Sequence, residues 1–325
     1  MMSRLLIAVL LFAAPFATQA PAQQEGEEDL GATISVDVQV VNVLANVRDK
    51  KGVLLNSLTK SDFVIEEDGV PQEVRYFTRQ ADLPLTIGLL VDTSVSQQRV
   101  LEVQRSAGFK FYENVLRQKK DLAFLMSFDV DVELLQDLTD SKNRLGDGLQ
   151  ELRIQSSGPA MGPVPQSGRR VGTAMYDSIF LAADEMLKPQ VGRKALVLIT
   201  DGNDVGSKIT LDQAIEAALR SDVVIYSVRY FDRQAYFRSG GQGTGGASTL
   251  KKLARQTGGS MYEVTRRQTL DKILDTINEE IRNQYSIGYT PKRDLSVKGF
   301  RKIEVKTRNG SHKIQARQGY YPEEL

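Results

Sequence analysis

The most constraining feature of this 325-residue chain is an apolar run at residues 85–91 that ends abruptly in Asp92, Ser94 and Ser96. A continuous apolar segment of this length predicts a strand buried on both faces, as in a parallel sheet covered by helices. Ligands of such sheets bind just beyond the carboxyl ends of the strands. We therefore expect the three polar side chains to lie in a crevice and not in the core.

The pattern after residue 85 alternates between apolar strands and segments with helical spacing. Further strands are predicted at 122–128, 132–138, 195–200, 223–230 and 260–264, and helices at 100–116, 141–153, 173–187, 211–220, 248–256 and 269–283. This alternation requires a mostly parallel sheet with helices on both faces. The predicted fold class is therefore α/β, with a doubly wound sheet over residues 83–283.

Segments of β character lie on both sides of this α/β region. Before it, residues 33–82 predict a β module with an Asp-Gly hairpin turn at 68–69 and a returning strand at 72–77. After it, residues 284–325 predict a strand and a hairpin whose Asn-Gly turn is at 309–310. Each segment is too short to fold alone, so we expect the two to pair into one small β-sandwich in which the α/β domain is inserted.

The N-terminus has the composition of an export signal. Arg4 precedes an apolar run at 5–14, and small residues follow up to residue 22. The run has about 10 residues, whereas a membrane-spanning helix needs about 20. We expect a cleaved signal peptide at 1–22, a polar tether at 23–32, a secreted or periplasmic protein and no transmembrane span after cleavage.

Composition narrows the classes of partner and metal. Lys and Arg number 42 and Asp and Glu 41, so no long-range field favours nucleic acid or an anionic membrane. The chain has no cysteine and one histidine. Disulfides and a lipid-modified N-terminus are therefore excluded for the chain as printed, and zinc or copper would lack the usual thiolate and imidazole ligands.

Three polar groups are expected at the same edge of the predicted sheet. Asp92, Ser94 and Ser96 follow the first strand, Thr173 begins a helix as an N-cap or first-turn residue, and Asp201 follows the strand at 195–200. Five oxygen donors without nitrogen or sulfur suit a hard cation, Mg²⁺ first and Mn²⁺ or Ca²⁺ next. Asp204 lies further along and is expected to cap a helix or loop.

These residues, in this order, resemble the metal ion-dependent adhesion site of the von Willebrand factor A domain. The resemblance implies that Ser94 and Ser96 bind the metal directly, that Thr173 joins them in the ligand-bound state, and that Asp92 and Asp201 act largely through water. Neutral hydroxyl ligands leave the charge of the ion poorly compensated, so an open coordination position favours an outside carboxylate. The expected partner is a protein or peptide that offers an Asp or Glu.

The flanking segments carry a second resemblance. The motifs at 63–69, 285–289 and 319–321 are similar to those of secreted acidobacterial proteins related to the von Willebrand factor A domain. This likeness implies architecture and export but little mechanism. We expect an adhesion or scaffold module and not an enzyme.

Two alternatives stay open from the residues alone. A metal-dependent phosphohydrolase would use Asp92 as its nucleophile, although such chemistry ordinarily uses a second acid where this chain has Ser94. A scaffold would keep the metal site intact but idle. The loops at 156–172 and 231–247 are expected to form the rim of a partner surface, and the glycine string at 241–246 follows its strand too distantly to bind a dinucleotide.

Overall fold

The computed structural model of the chain describes residues 40–79, 83–154, 172–230 and 245–322. These residues fall in one compact unit, Val38–Leu325. The predicted signal peptide and tether, and nearly all of the two predicted rim loops, lie outside the described residues. Each described helix is too short or too polar to cross a lipid bilayer.

The described residues form fourteen strands and six α-helices. In chain order the strands are β1 (Val41–Arg48), β2 (Phe63–Glu67), β3 (Val70–Gln72), β4 (Val74–Arg79), β5 (Leu85–Asp92), β6 (Leu122–Phe128), β7 (Val132–Thr139), β8 (Arg193–Thr200), β9 (Val223–Arg229), β10 (Met261–Glu263), β11 (Tyr285–Tyr289), β12 (Arg301–Thr307), β13 (Lys313–Ala316) and β14 (Gly319–Tyr320). The helices are α1 (Leu101–Val115), α2 (Lys142–Glu151), α3 (Met175–Leu181), α4 (Leu211–Arg220), α5 (Gly245–Thr257) and α6 (Leu270–Arg282). A π-helical segment, Ala182–Leu187, continues α3.

A six-stranded sheet in the order β10-β9-β8-β5-β6-β7 forms the centre of the molecule. All neighbours pair in parallel except β7, which is antiparallel to β6 at one edge. β5 is buried along its whole length because both of its faces are covered. The predicted doubly wound, mostly parallel α/β fold is therefore confirmed.

The helices cover the two faces of this sheet in two separate apolar cores. On one face Leu89 of β5 belongs to the core that includes Phe111 of α1 and Ile273 of α6. On the other face Leu90 belongs to the core that includes Ile179 of α3 and Ile215 of α4. Neighbouring strand residues point to opposite faces, so the continuous apolar run of β5 serves both cores.

The segments before and after the α/β region build two further four-stranded sheets, in the orders β13-β1-β11-β4 and β14-β12-β2-β3. The two sheets share one core, to which Val43, Ile65, Tyr285 and Ile303 belong. The predicted sandwich of N- and C-terminal segments is thus confirmed. The domain boundaries at 82/83 and 283/284 stay predictions.

The chain enters and leaves the α/β region through neighbouring strands of the sandwich. β4 and β11 are antiparallel partners, and Arg79 at the end of β4 is paired with Tyr285 at the start of β11. The inserted domain therefore begins and ends side by side.

Two of the predicted connections are wrong. The returning strand at 72–77 is divided, because β3 pairs with β2 while β4 belongs to the other sheet. The Asn-Gly step at 309–310 does not close a hairpin, since β12 pairs with β2 and β13 pairs with β1. A two-residue type I′ turn needs positive φ at both positions, which neither Asn309 nor Gly310 adopts. Asp68 and Gly69 adopt φ of 49° and 81°, as their hairpin requires.

Candidate functional site

Asp92 is the last residue of β5, and its side chain is completely buried at the carboxyl edge of the sheet. Its Oδ1 accepts a hydrogen bond from the Ser94 N–H at 2.9 Å, which closes a tight Asx turn after the strand. Its Oδ2 accepts one from the Thr200 hydroxyl at 2.5 Å. Thr200 ends the neighbouring β8, so the carboxylate joins the tips of two adjacent strands.

The two serines of the motif lie together after this turn. A short 3₁₀ turn, Val95–Gln97, brings the Ser94 and Ser96 hydroxyl oxygens to 2.9 Å from each other. The buried Gln97 side chain donates to the Ser96 hydroxyl at 3.4 Å and to the Tyr230 carbonyl at 3.2 Å, just beyond β9. The serine loop is therefore held against the exit of a third strand.

Asp201 directly follows β8 and is 5% exposed. Its Oδ1 accepts from the backbone N–H and from the side-chain amide of Asn203, both at 3.0 Å. Gly202 has φ of 90°, and a Cβ there would lie 2.5 Å from the Gly246 carbonyl oxygen. Gly246 ends the glycine string of the sequence, and its structural role is this close backbone packing against the Asp201 turn.

The prediction that Thr173 is an N-cap or first-turn residue is wrong. Helix α3 begins at Met175, and Ala174 occupies the cap position without a side-chain hydrogen bond. The cap is supplied from another loop, because the Tyr176 N–H donates to Asp204 Oδ1 at 3.0 Å and to the Ser207 hydroxyl at 3.1 Å. The predicted capping role of Asp204 is confirmed.

Backbone hydrogen bonds nevertheless attach Thr173 to the same edge of the sheet. Thr173 and Val205 exchange two of them, at 2.7 and 3.1 Å, and Val205 lies four residues after Asp201. The next N–H, of Ala174, donates to the Asp129 carbonyl at 2.6 Å, immediately after β6. Thr173 is therefore held between the loops that follow β8 and β6.

The electrostatic environment of Asp92 disfavours its charge. Burial raises the pKa of Asp92 to about 7, and the neighbouring Asp201 carboxylate adds to this rise. Hydrogen bonds from Ser94 and Thr200 oppose it. In the described part of the chain, no Lys, Arg or His side chain forms an ion pair with Asp92 or Asp201. A bound cation would supply the missing positive charge.

The five predicted residues are connected in three ways: by side-chain hydrogen bonds, by the effect of one charge on another, and by backbone hydrogen bonds. Direct contacts link Asp92, Ser94 and Ser96, the charge of Asp201 reaches Asp92, and Thr173 is tied through its backbone to the loop of Asp201. The described residues contain no cluster of three or more His, Cys, Asp or Glu that could hold a metal. The candidate set has only two such residues, and hydroxyl oxygens make up the rest. Coordination of one ion by all five stays a prediction.

Three supporting residues were not assigned a role from the sequence. Thr200 donates to Asp92, Asn203 donates to Asp201, and Gln97 supports Ser96. A hydroxyl that ends an otherwise apolar strand is the one sequence signal that marks Thr200. Asn203 and Gln97 carry no such signal, because amides are common in polar loops.

No family model matches the chain, and no curated protein matches it significantly. Similar solved structures include the conserved hypothetical protein BatB from Bacteroides thetaiotaomicron, at 17% identity and a TM-score of 0.43 over 62% of this chain and 97% of that one. They also include the vWF domain of the type V pili tip protein Mfa5 from Porphyromonas gingivalis, at 13% identity and a TM-score of 0.45 over 61% and 95%.

A third similar structure is proximal thread matrix protein 1 from the mussel byssus with a zinc-occupied MIDAS motif. It shares 12% identity, with a TM-score of 0.45 over 63% of this chain and 50% of that one. At these identities the likeness concerns the fold alone.

Proposed function

We propose that this protein is a secreted or periplasmic binding module that engages an acidic group of a protein partner through a divalent cation. Asp92, Ser94, Ser96, Thr173 and Asp201 would hold the cation. The observation that carries the proposal is the pair of serine hydroxyls 2.9 Å apart beside a buried carboxylate that has no cationic partner among the described residues. A bound cation would supply the positive charge that this carboxylate lacks among the described residues.

The donor chemistry supports Mg²⁺ as the first choice of ion. All five side chains offer oxygen, which hard cations prefer, and no imidazole or thiolate is among them. When bound, the ion would supply an electrophilic position for an outside carboxylate. The chain's own residues would orient the serine hydroxyls, keep Asp92 ionised and limit the access of water to its buried oxygens.

The surroundings of the candidate site support a protein as partner. Val95, between the two serines, is 61% exposed, and Val205, paired with Thr173, is 54% exposed. Apolar side chains beside a charged centre give a partner contact area in addition to the metal bond. We therefore expect the partner to present its Asp or Glu with apolar neighbours.

The first test measures metal binding directly. Isothermal titration with Mg²⁺ and Mn²⁺ compares the wild type with Ser94→Ala and with Ser296→Ala, a control hydroxyl on a distant exposed loop. Loss of one ligand should weaken metal binding about tenfold or more, while the control stays at the wild-type affinity. Equal affinity in all three proteins would contradict the proposed site.

The second test measures the use of the metal. Immobilised wild-type protein is exposed to an envelope extract with Mg²⁺, with EDTA, and with Mg²⁺ restored, beside an identical column of Ser94→Ala. Capture that follows the metal and is lost in the variant supports a binding role. Turnover of a generic phosphoester would instead support the phosphohydrolase, and metal binding without capture or turnover would support the idle scaffold.

A further inference from the structure

A second concave site lies at the opposite edge of the central sheet from Asp92. We call it the seam cavity, because the α/β domain and the sandwich both form its walls. Leu83, Arg193 and Val223 contribute from the amino ends of β5, β8 and β9, and Asn42 and Arg317 from the sandwich. Its volume is about 80 Å³. Since β5 spans eight residues, about 25 Å separate the two sites.

Arg193 brings a buried guanidinium to this cavity without a carboxylate of its own. It is 3% exposed, and it donates only to backbone carbonyls, of Ile281 at 2.6 Å and Leu83 at 3.1 Å. Its Nε is buried and has no hydrogen-bond partner. Burial, together with the positive charges of Arg282 and Arg117, lowers the pKa of Arg193 to about 10. An anion in the cavity would relieve both effects.

Arg317 approaches the same cavity from the sandwich side. Its Nη1 pairs with Asp222, and its Nη2 donates to the Asn42 carbonyl at 2.6 Å. Its Nε is also buried without a partner. The wall thus contains two arginines and one aspartate, which leaves one positive charge uncompensated. Buried donors without acceptors are costly, and the two arginines that line this cavity each have one, which an acceptor in the cavity could satisfy.

Apart from Thr257, the rest of the wall carries no polar side chain. Leu44, Leu219 and Val224 line the cavity together with Leu83 and Val223. A cavity needs about 10 to 15 Å³ to hold one water, so about 80 Å³ admits a ligand of roughly five non-hydrogen atoms. The walls therefore match a small molecule with a singly charged anionic head and a short apolar tail.

We propose that the seam cavity binds a small aliphatic monocarboxylate. A carboxylate accepts hydrogen bonds from guanidinium groups in a planar, charge-assisted geometry, and its single charge equals the excess on the wall. Its alkyl tail would contact the leucines and valines. The bound molecule would contact both the α/β domain and the sandwich. This inference does not rest on the proposed metal site.

The test uses propionate and its neutral, equally shaped analogue propionamide. Both are titrated into the whole protein, and binding is followed by ligand-observed NMR. The buffer contains EDTA, so that any binding that depends on a divalent metal is excluded. We expect saturable binding of propionate in the millimolar range and at least tenfold weaker binding of propionamide. Inorganic phosphate serves as a second comparison and should also bind at least tenfold more weakly.

Two variants locate the binding. Arg317→Gln should weaken propionate binding at least tenfold, whereas Arg220→Gln, which removes a nearby arginine stacked on Tyr321 outside the cavity, should leave it unchanged. Leu83→Trp narrows the cavity without removing a charge and should also abolish binding. Because Leu83 is 43% exposed, this variant is expected to fold even if Arg317→Gln does not.

Three results would overturn the proposal. Propionamide or phosphate that binds as tightly as propionate would remove the carboxylate assignment. Propionate binding that persists in folded Leu83→Trp and Arg317→Gln would remove the location. Absence of saturable propionate binding to the wild type would remove the site itself.

Discussion

Two buried aspartates at opposite edges of the central sheet are held in contrasting ways. Asp121, just before β6 at the amino edge, accepts hydrogen bonds from the Leu85 N–H and from the side chains of Arg117 and Arg282, at 2.8 to 3.0 Å. Asp92, at the carboxyl edge, accepts only from a backbone amide and a hydroxyl among the described donors. Both side chains are fully buried.

The difference in partners produces opposite shifts of pKa. Burial alone would raise the pKa of Asp121, but hydrogen bonds from Arg117 and Arg282 outweigh it and hold the pKa well below its usual range. For Asp92 burial prevails, and the pKa is raised to about 7. The amino edge therefore compensates its buried charge from within the chain. At the carboxyl edge no described side chain compensates the charge of Asp92, as the proposed cation site would require.

The largest effect is expected from Asp121→Asn. Removing this charge leaves Arg117 and Arg282 buried in part without their carboxylate, which costs about 3–5 kcal/mol of unfolding free energy. Urea unfolding at neutral pH measures the change. The control is Asp271→Asn, whose ion pair with Lys110 is solvent-exposed and should contribute less than about 1 kcal/mol. A loss below about 1 kcal/mol for Asp121→Asn would remove the contrast between the two edges.

A smaller effect is expected from pH in the absence of metal. Unfolded Asp92 loses its proton near pH 4, whereas the folded residue keeps it until about pH 7, so this group destabilises the fold as pH rises through that interval. In EDTA the unfolding free energy of the wild type should fall by about 1–3 kcal/mol more than that of Asp92→Asn between pH 5 and 8. Asp121 has the opposite sign, because its stabilisation is present above about pH 4 and is lost in acid.

Urea unfolding at several pH values measures this difference. Addition of excess Mg²⁺ should reduce it, because the cation stabilises the ionised form of Asp92. Parallel pH profiles of wild type and Asp92→Asn in EDTA would show that folding does not raise the pKa of Asp92.

The smallest effect is expected from Thr200→Val. The substitution keeps the branched shape in β8 but removes the hydroxyl that donates to Asp92. Asp92 belongs to the proposed metal site, and loss of a hydrogen bond to such a carboxylate should weaken Mn²⁺ binding about tenfold. Titration calorimetry compares it with Thr276→Val, where the lost hydroxyl bonds only within α6. Equal affinity of both variants and the wild type would exclude a role for Thr200.

The central sheet could be predicted because its signals are local. An apolar run that is buried on both faces needs no knowledge of its neighbours, and β6 and α4 have the predicted bounds. The edge on which Asp92 and Asp201 lie followed from the direction of parallel strands. The hydrogen bond from the Thr200 hydroxyl to Asp92 could not be predicted from the sequence, because the two residues are 108 positions apart.

The wrong predictions arose where tertiary contacts override local turn chemistry. Thr173 is a good N-cap residue, but Asp204 and Ser207 from another loop supply the cap of α3. The Asn309-Gly310 step is a strong hairpin signal, but β12 and β13 belong to different sheets of the sandwich and do not pair with each other. The seam cavity could not be predicted, because its lining residues Asn42, Arg193 and Arg317 are more than 100 positions apart in the sequence.

The pairing of β4 with β11 has a mechanical consequence for the proposed role of holding a partner at the carboxyl edge of the central sheet. The two covalent connections between the α/β domain and the sandwich start at Arg79 and Tyr285, which are paired in register. Both strands are then pulled from the same end and in the same direction, so the load does not slide one strand past the other. A pulling force on the inserted domain is therefore divided between two neighbouring strands of the sandwich, and each strand bears only part of it.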